Sequence, residues 1–176
     1  PDTRLEGWDG CGGYHFSDSI IYGFSHTHLS GTGIPDYGDI LLMPTTGKLK
    51  LTNGVLKSKE FNKAINEMGY GSRFSHENEI AKPGYYQVLL DDYNINVELT
   101  ASLRAGIHKY SFNSDDKANI ILDLQHRDKL LKYNIKIKDS LTIEGYRYST
   151  EWAREQRIHF IIKFSHPFKD ALFNNE

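Results

Sequence analysis

The sequence predicts a mainly β protein: an antiparallel β-sandwich with one short helix and a Gly-rich N-terminal loop region. Three observations predict it. From Ala81 onward the chain breaks into short runs rich in β-branched and aromatic residues. Several of these runs alternate apolar and polar residues with the two-residue period of a half-buried strand. The connectors carry Asp, Asn and Ser and are too short to hold crossover helices, which leaves antiparallel pairing.

Taken in order, the first 47 residues read as loop. Nine of the 15 glycines lie between Gly7 and Gly47, a density that implies tight turns and close backbone approaches. In texture this segment is aromatic and polar, and it looks like something other than scaffold. Lys59 to Met68 reads as the helix, with Phe61, Ile65 and Met68 at helical spacing and Gly69 placed as its stop. The strands follow at Tyr85 to Leu90, Ile95 to Leu99, Ile107 to Phe112, Asn119 to Leu124, Tyr133 to Ile137, Leu141 to Tyr148 and Arg157 to Phe164. Ile95, Val97 and Leu99 share one face against Asn96 and Glu98, and Ile135 and Ile137 alternate with Lys136 and Lys138, so each strand should bury one face and wet the other. Asp91 to Asn94 and Asn113 to Asp116 carry turn chemistry, and Lys138-Asp139-Ser140 is short enough for a hairpin. No internal repeat or low-complexity linker divides the chain, so residues 1–176 are read as one domain.

The length of 176 residues is enough for a domain with a real core. Lys and Arg total 21 against 23 for Asp and Glu, a net charge of −2, so nothing basic accumulates to neutralise phosphates and nucleic acid is disfavoured as a partner. No apolar run reaches the length of a membrane span. One cysteine, Cys11, excludes a disulfide framework and a Cys-rich zinc site. Pro1 in place of Met, and a chain stopping at Asn174-Asn175-Glu176, read as cuts within a longer protein.

Chemistry concentrates in two N-terminal segments. Gly23 to Gly33 contains His26 and His28, which on an extended backbone would point to one side, with Asp36 or Asp39 near enough in sequence to add a carboxylate to a metal site. The same donors, with the hydroxyls of Ser25, Thr27, Ser30 and Thr32, also suit the ordinary task of satisfying backbone groups in a long Gly-rich turn. Gly7 to His15 places Trp8 and Tyr14 among glycines beside Asp9. An aromatic face next to carboxylate and imidazole is what a pyranose needs, since the sugar offers an apolar C–H face and hydroxyls. On the residues alone, Trp8 reads equally as a cap on the core. Glu77 and Glu79, and the cluster from Asp123 to Asp128, read as solvated side chains or as loop braces paired with Arg73 and Arg127 more readily than as acid–base pairs. There is no Gly-x-Ser-x-Gly elbow, and no neighbour in sequence would activate Cys11 as a nucleophile.

The runs Gly7 to Ser19, Ile21 to Gly33 and Asp36 to Pro44 resemble the N-terminal domain of family 92 glycoside hydrolases, exo-acting α-mannosidases of the type found in Bacteroidetes, including α-1,2-mannosidases. The resemblance continues through Phe74 to Glu79, Ala81 to Tyr86, Ala118 to Leu124 and Ile143 to Arg147, and so covers the whole chain. It implies an N-terminal β-sandwich joined to an (α/α)₆ catalytic barrel in the same chain, and hydrolysis of terminal α-mannosides of glycans with inversion, using calcium. It also implies a periplasmic, secreted or cell-surface setting. The general acid and base would lie in the helical domain, so no catalytic residue and no metal ligand is assigned to this chain, and no tightly bound calcium is expected on it. Trp8 is the implied sugar-facing residue, with Asp9, Cys11, His26 and His28 lining or bracing the pocket. Alternatively the domain binds carbohydrate on its own, or only orients the barrel.

Overall fold

The computed structural model describes residues 1–4, 7–54, 69–113 and 117–174. Its elements are β1 (Ile20–Ile21), β2 (Leu41–Thr46), β3 (Ser72–Arg73), a 3-10 turn at His76–Asn78, β4 (Glu79–Lys82), β5 (Tyr85–Leu90), β6 (Ile95–Ala101), β7 (Gly106–Phe112), β8 (Ala118–Asp123), β9 (Lys129–Asp139), β10 (Thr142–Thr150) and β11 (Gln156–Lys163). They form four sheets in the orders β4-β5-β6-β7, β11-β10-β9, β2-β8 and β1-β3. Every strand pairing is antiparallel, as the short connectors require.

The core forms where the four-stranded sheet meets β2 and β8. Val88 pairs with Val97 and Leu90 with Ile95 across β5 and β6, so all four side chains leave the same face of the sheet, and all are fully buried. Leu41 and Met43 of β2, Ile121 of β8, Ile21 of β1 and the loop residues Phe24, Tyr70 and Phe74 complete the cluster. Burying an aliphatic or aromatic side chain of this kind is worth about 1.5–3 kcal/mol relative to leaving it in water, so this cluster is the main source of cohesion.

Two expectations about the scaffold need correction. The first 47 residues are not only loop, because β1 and β2 lie within them and contribute Ile21, Leu41 and Met43 to the core. β2 gives no alternating signal because residues 41 to 45 are buried on both faces. Pro44 is tolerated because β2 has a continuous partner, β8, on one side and only an isolated bridge from Leu42 to Phe24 on the other. The second correction concerns β9, where Leu131, Tyr133 and Ile137 remain 51%, 39% and 40% exposed and Ile135 is half-buried. The strand pairs as expected, but its apolar row lacks the cover that β5 and β6 receive. The helix expected over Lys59 to Met68 lies outside the described residues. Gly69, read as its stop, has φ +70°, and a Cβ there would run into the Thr52 carbonyl.

Buried Arg147 is a main fastening of the three-stranded sheet to the N-terminal loops. Arg147, 1% exposed, donates from Nε to Leu124 O at 2.7 Å, from Nη1 to Ser149 Oγ at 2.8 Å and to Asp39, and from Nη2 to Arg127 O. Asp39, fully buried, also accepts from Thr27 Oγ1 at 2.6 Å and Gln156 Nε2 at 2.5 Å. One carboxylate thus joins the Gly23–Gly33 segment to β10 and β11.

Candidate functional site

Five segments build the candidate site: the N-terminal residues, Gly7 to Gly13, Ser25 to Asp39, the stretch after β8 and the turn between β10 and β11. Asp2 anchors it from below. Its buried carboxylate accepts from Ser25 N at 2.9 Å and from Ser25 Oγ at 2.7 Å, while His28 Nε2 lies 3.3 Å and His126 Nε2 3.4 Å from Oδ1. Burial alone would push the Asp2 carboxyl up, but the His126 and His28 rings outweigh it and hold it well below the usual carboxylate range. Gly13 closes over this cluster at φ +76°, where a Cβ would stand 3.0 Å from the His28 ring and 3.1 Å from Asp2. Only a glycine allows the loop to come that close in that conformation.

Above it lies the Trp8 loop. Trp8 is 71% exposed, which excludes the core-cap alternative, and its carbonyl accepts the Gly33 N–H at 2.7 Å. Asp9 is held by Arg4 Nη1 at 2.5 Å, and Arg4 also bonds Asp18 through Nε and Nη2 at 3.2 and 2.6 Å. Cys11 is buried and donates its thiol to Ile34 O at 3.0 Å. The loop carrying Trp8, Asp9 and Cys11 is therefore bonded at two points to the Gly31–Ile34 turn. Beneath the loop, Arg127 Nη2 donates to the Arg4 and Gly10 carbonyls at 2.9 and 2.8 Å.

His26 and His28 do not converge. His26 Nδ1 donates to Ile40 O at 2.7 Å, and its ring stacks on His108 of β7 with centroids 4.8 Å apart and planes within 11°. Burial of that side, only partly offset by the Ile40 bond, pulls the His26 pKa down, and burial with His26 alongside lowers that of His108 to about 3. The two rings diverge because Ser25 to His28 is not regular strand, so the i, i+2 rule fails there. Asp36 and Asp39 have other tasks, the first accepting N–H groups near Trp152 and the second bound to Arg147. Among the described residues no group of three His, Cys, Asp or Glu could hold a metal ion.

Of the two carboxylates, Glu77 is exposed, as the solvated alternative has it, while Glu79 braces loops through partners other than Arg73. Glu79 accepts from Tyr86 OH at 2.6 Å, Tyr14 OH at 3.0 Å and His76 Nδ1 at 2.5 Å, while Arg73 pairs with Asp92. His76 in turn donates to Phe16 O and stacks on that exposed ring at 4.2 Å, so the brace ties the N-terminal segment to β4 and β5. One candidate escaped the sequence reading: Trp152, in the turn between β10 and β11, is 72% exposed. Only the fact that the chain has two tryptophans could have drawn attention to it.

Chemically, these segments present an exposed indole on a fixed loop, with a partly exposed carboxylate at Asp9, and among the described residues Asp2, Asp9, Asp36 and Asp39 each have a basic or hydrogen-bonding partner. That suits binding a neutral, polyhydroxylated ligand more than transferring protons.

Comparison with known proteins gives three findings. The sequence matches the Glycosyl hydrolase family 92 N-terminal domain over residues 1–176. The family GH92 alpha-mannosidase BT3965 from Bacteroides thetaiotaomicron is similar in structure, with a TM-score of 0.84 and 36% identity over 95% of this chain, and the same holds for its complex with mannoimidazole. An uncharacterized secreted glycosidase from Arthroderma benhamiae is 29% identical over 124 residues, 67% of this chain. This chain spans 22% of the length of the first and 15% of the last.

Proposed function

This chain belongs to the glycosyl hydrolase family 92 N-terminal domain family, and on that premise we propose that it is the non-catalytic β-sandwich domain of a calcium-dependent, inverting exo-α-mannosidase that trims terminal mannose from glycans. Its part is to wall the sugar pocket with loops. Trp8 offers the apolar face for the pyranose ring with Asp9 next to it, Cys11 pins the loop, His28 supports Gly13 from the Asp2 cluster, and His26 braces the segment from Ser25 to Ile40 against β7. The observation that carries this reading is the mounting of Trp8: an exposed indole on a loop whose main chain is bonded to Gly33 and underpinned by Arg127. A loop main chain held this firmly lowers the ordering cost of presenting its ring to a ligand.

The reaction itself would belong to the helical domain of the same chain. Inversion needs one carboxylic acid to protonate the leaving oxygen and a carboxylate about 6.5–9.5 Å away to activate water. Asp2, Asp36, Asp39 and Glu79 are each committed to internal partners, so none is free for either task. Calcium takes about 6–8 oxygen ligands, and the same commitments mean that these residues do not fit it. The ion is assigned to the rest of the enzyme. No helix among the described residues is long and apolar enough to cross a membrane. A periplasmic, secreted or cell-surface enzyme is the setting in which we place the domain, supported by the secreted relative.

The test is Trp8→Ala in the full-length enzyme. A fall in kcat/KM of about tenfold or more is expected, the scale of a central binding tryptophan, while this chain alone should not turn over an aryl α-mannoside. Unchanged constants would favour a second reading, in which the domain only orients the catalytic barrel. The uncovered apolar row of β9 at Leu131, Tyr133 and Ile137 supports that reading.

A further inference from the structure

We propose that Trp152 is a second sugar-stacking residue, serving the glycan unit on the leaving-group side of the terminal mannose; this rests on the reading of Trp8 as the pocket's aromatic wall. The chain has two tryptophans, and both stand at least 71% exposed. An exposed indole alone says little. What distinguishes Trp152 is its mounting. The buried carboxylate of Asp36 accepts the Ala153 N–H at 2.8 Å and, more distantly, the Trp152 N–H at 3.4 Å. The turn also closes on itself, with Glu151 N and Thr150 Oγ1 both donating to Ala153 O at 3.1 and 3.3 Å. A fully desolvated acid has been committed to holding a surface turn in one shape.

That acid places Trp152 close to Trp8. Trp8 is bonded at Gly33 and the Trp152 turn at Asp36, and three residues of chain reach at most about 11 Å. The loop carrying Trp8 and the turn carrying Trp152 are thus anchored to one short segment, with the partly exposed Ile34 between the anchor points. Around Trp152, Glu151 and Glu155 balance Arg154 and Arg157, and Arg157 pairs with Glu155 at 2.6 Å. The exposed side chains around the indole thus balance in charge, which suits a neutral glycan. Since an exo-acting pocket admits only the terminal sugar, a second platform on its rim meets the next unit, which departs with the leaving group.

The experiment compares Trp152→Ala, Trp152→Phe and Trp8→Ala in the full-length enzyme on two substrates. One is α-mannosyl fluoride, whose leaving group has no ring; the other is an α-linked mannobiose. Trp152→Ala should lower kcat/KM for the disaccharide about tenfold, mainly through KM, and alter fluoride hydrolysis less than about twofold. Trp152→Phe should restore most of the disaccharide activity. Fluoride turnover serves as the control for folding. An equal loss on both substrates, the result if another part of the enzyme packs on the indole, overturns the proposal, as does no loss on either. If Trp8→Ala leaves the fluoride rate unchanged, the reading of Trp8 fails and takes this proposal with it; a loss at Trp8 without a selective loss at Trp152 overturns the proposal alone.

Discussion

Replacing Arg147 with Met tests the fastening of the site loops to the C-terminal sheet. Met fills much of the space but removes the guanidinium. Two carbonyls, Leu124 O and Arg127 O, lose their donor, and Asp39 stays fully buried with Thr27 Oγ1 and Gln156 Nε2 but no cation. Breaking one side of a buried ion pair costs about 3–5 kcal/mol, most of it from the charge left behind. In a chain of this length, 1 kcal/mol is worth about 2–4 °C, so Tm should fall by roughly 6–20 °C. Urea unfolding followed by far-UV circular dichroism reads the loss as a lower midpoint at unchanged m. Adding Asp39→Asn to Arg147→Met removes the stranded charge while keeping an acceptor for Thr27, and should recover a substantial part of the loss. A single-variant loss below about 1 kcal/mol, or no recovery in the double variant, would refute the reasoning.

Two further outcomes are expected. His108, its pKa lowered to about 3 by burial and by His26, stays neutral when folded while the unfolded chain takes up a proton near the ordinary histidine value. The unfolded state therefore binds more protons between about pH 6.5 and 3, and stability falls as pH is lowered through that window. His108→Phe keeps a ring against His26 and should flatten that part of a stability-against-pH curve; an unchanged slope would count against the assignment. Glu79→Gln leaves one acceptor oxygen for the Tyr14, Tyr86 and His76 donors. It should cost about 1–3 kcal/mol in the same urea assay, and wild-type stability would show that the brace carries no weight.

What the sequence revealed follows from how each element is buried. β5 and β6 were legible to within two residues because one face is core and the other wet, which writes an alternation into the chain. β2 was not, since a strand buried on both faces loses the alternation and Pro44 argues against any strand. At the site, the motif around Trp8 was legible as an aromatic among glycines. The separation of His26 from His28 was not, because it depends on His108 and Asp2, one far downstream and the other at the chain's start. Trp152 was silent for the same reason: its mounting depends on Asp36, 116 residues away, and no local pattern reports that.

The same long separations govern the order in which the protein can take shape. Asp39 meets Arg147 across 108 residues and Gln156 across 117, and Arg127 reaches Gly10 across 117. During synthesis at about 5–20 residues per second, Asp39 leaves the ribosome ahead of Arg147 and Gln156 and waits on the order of 5–20 seconds for them. The Asp39 end of the Gly-rich segment is thus made well before the partners that fasten it. Until β10 and β11 arrive, the Trp8 loop has its bonds to Gly33 and Ile34, but Asp39 lacks the Arg147 and Gln156 donors that tie the segment to the rest of the domain.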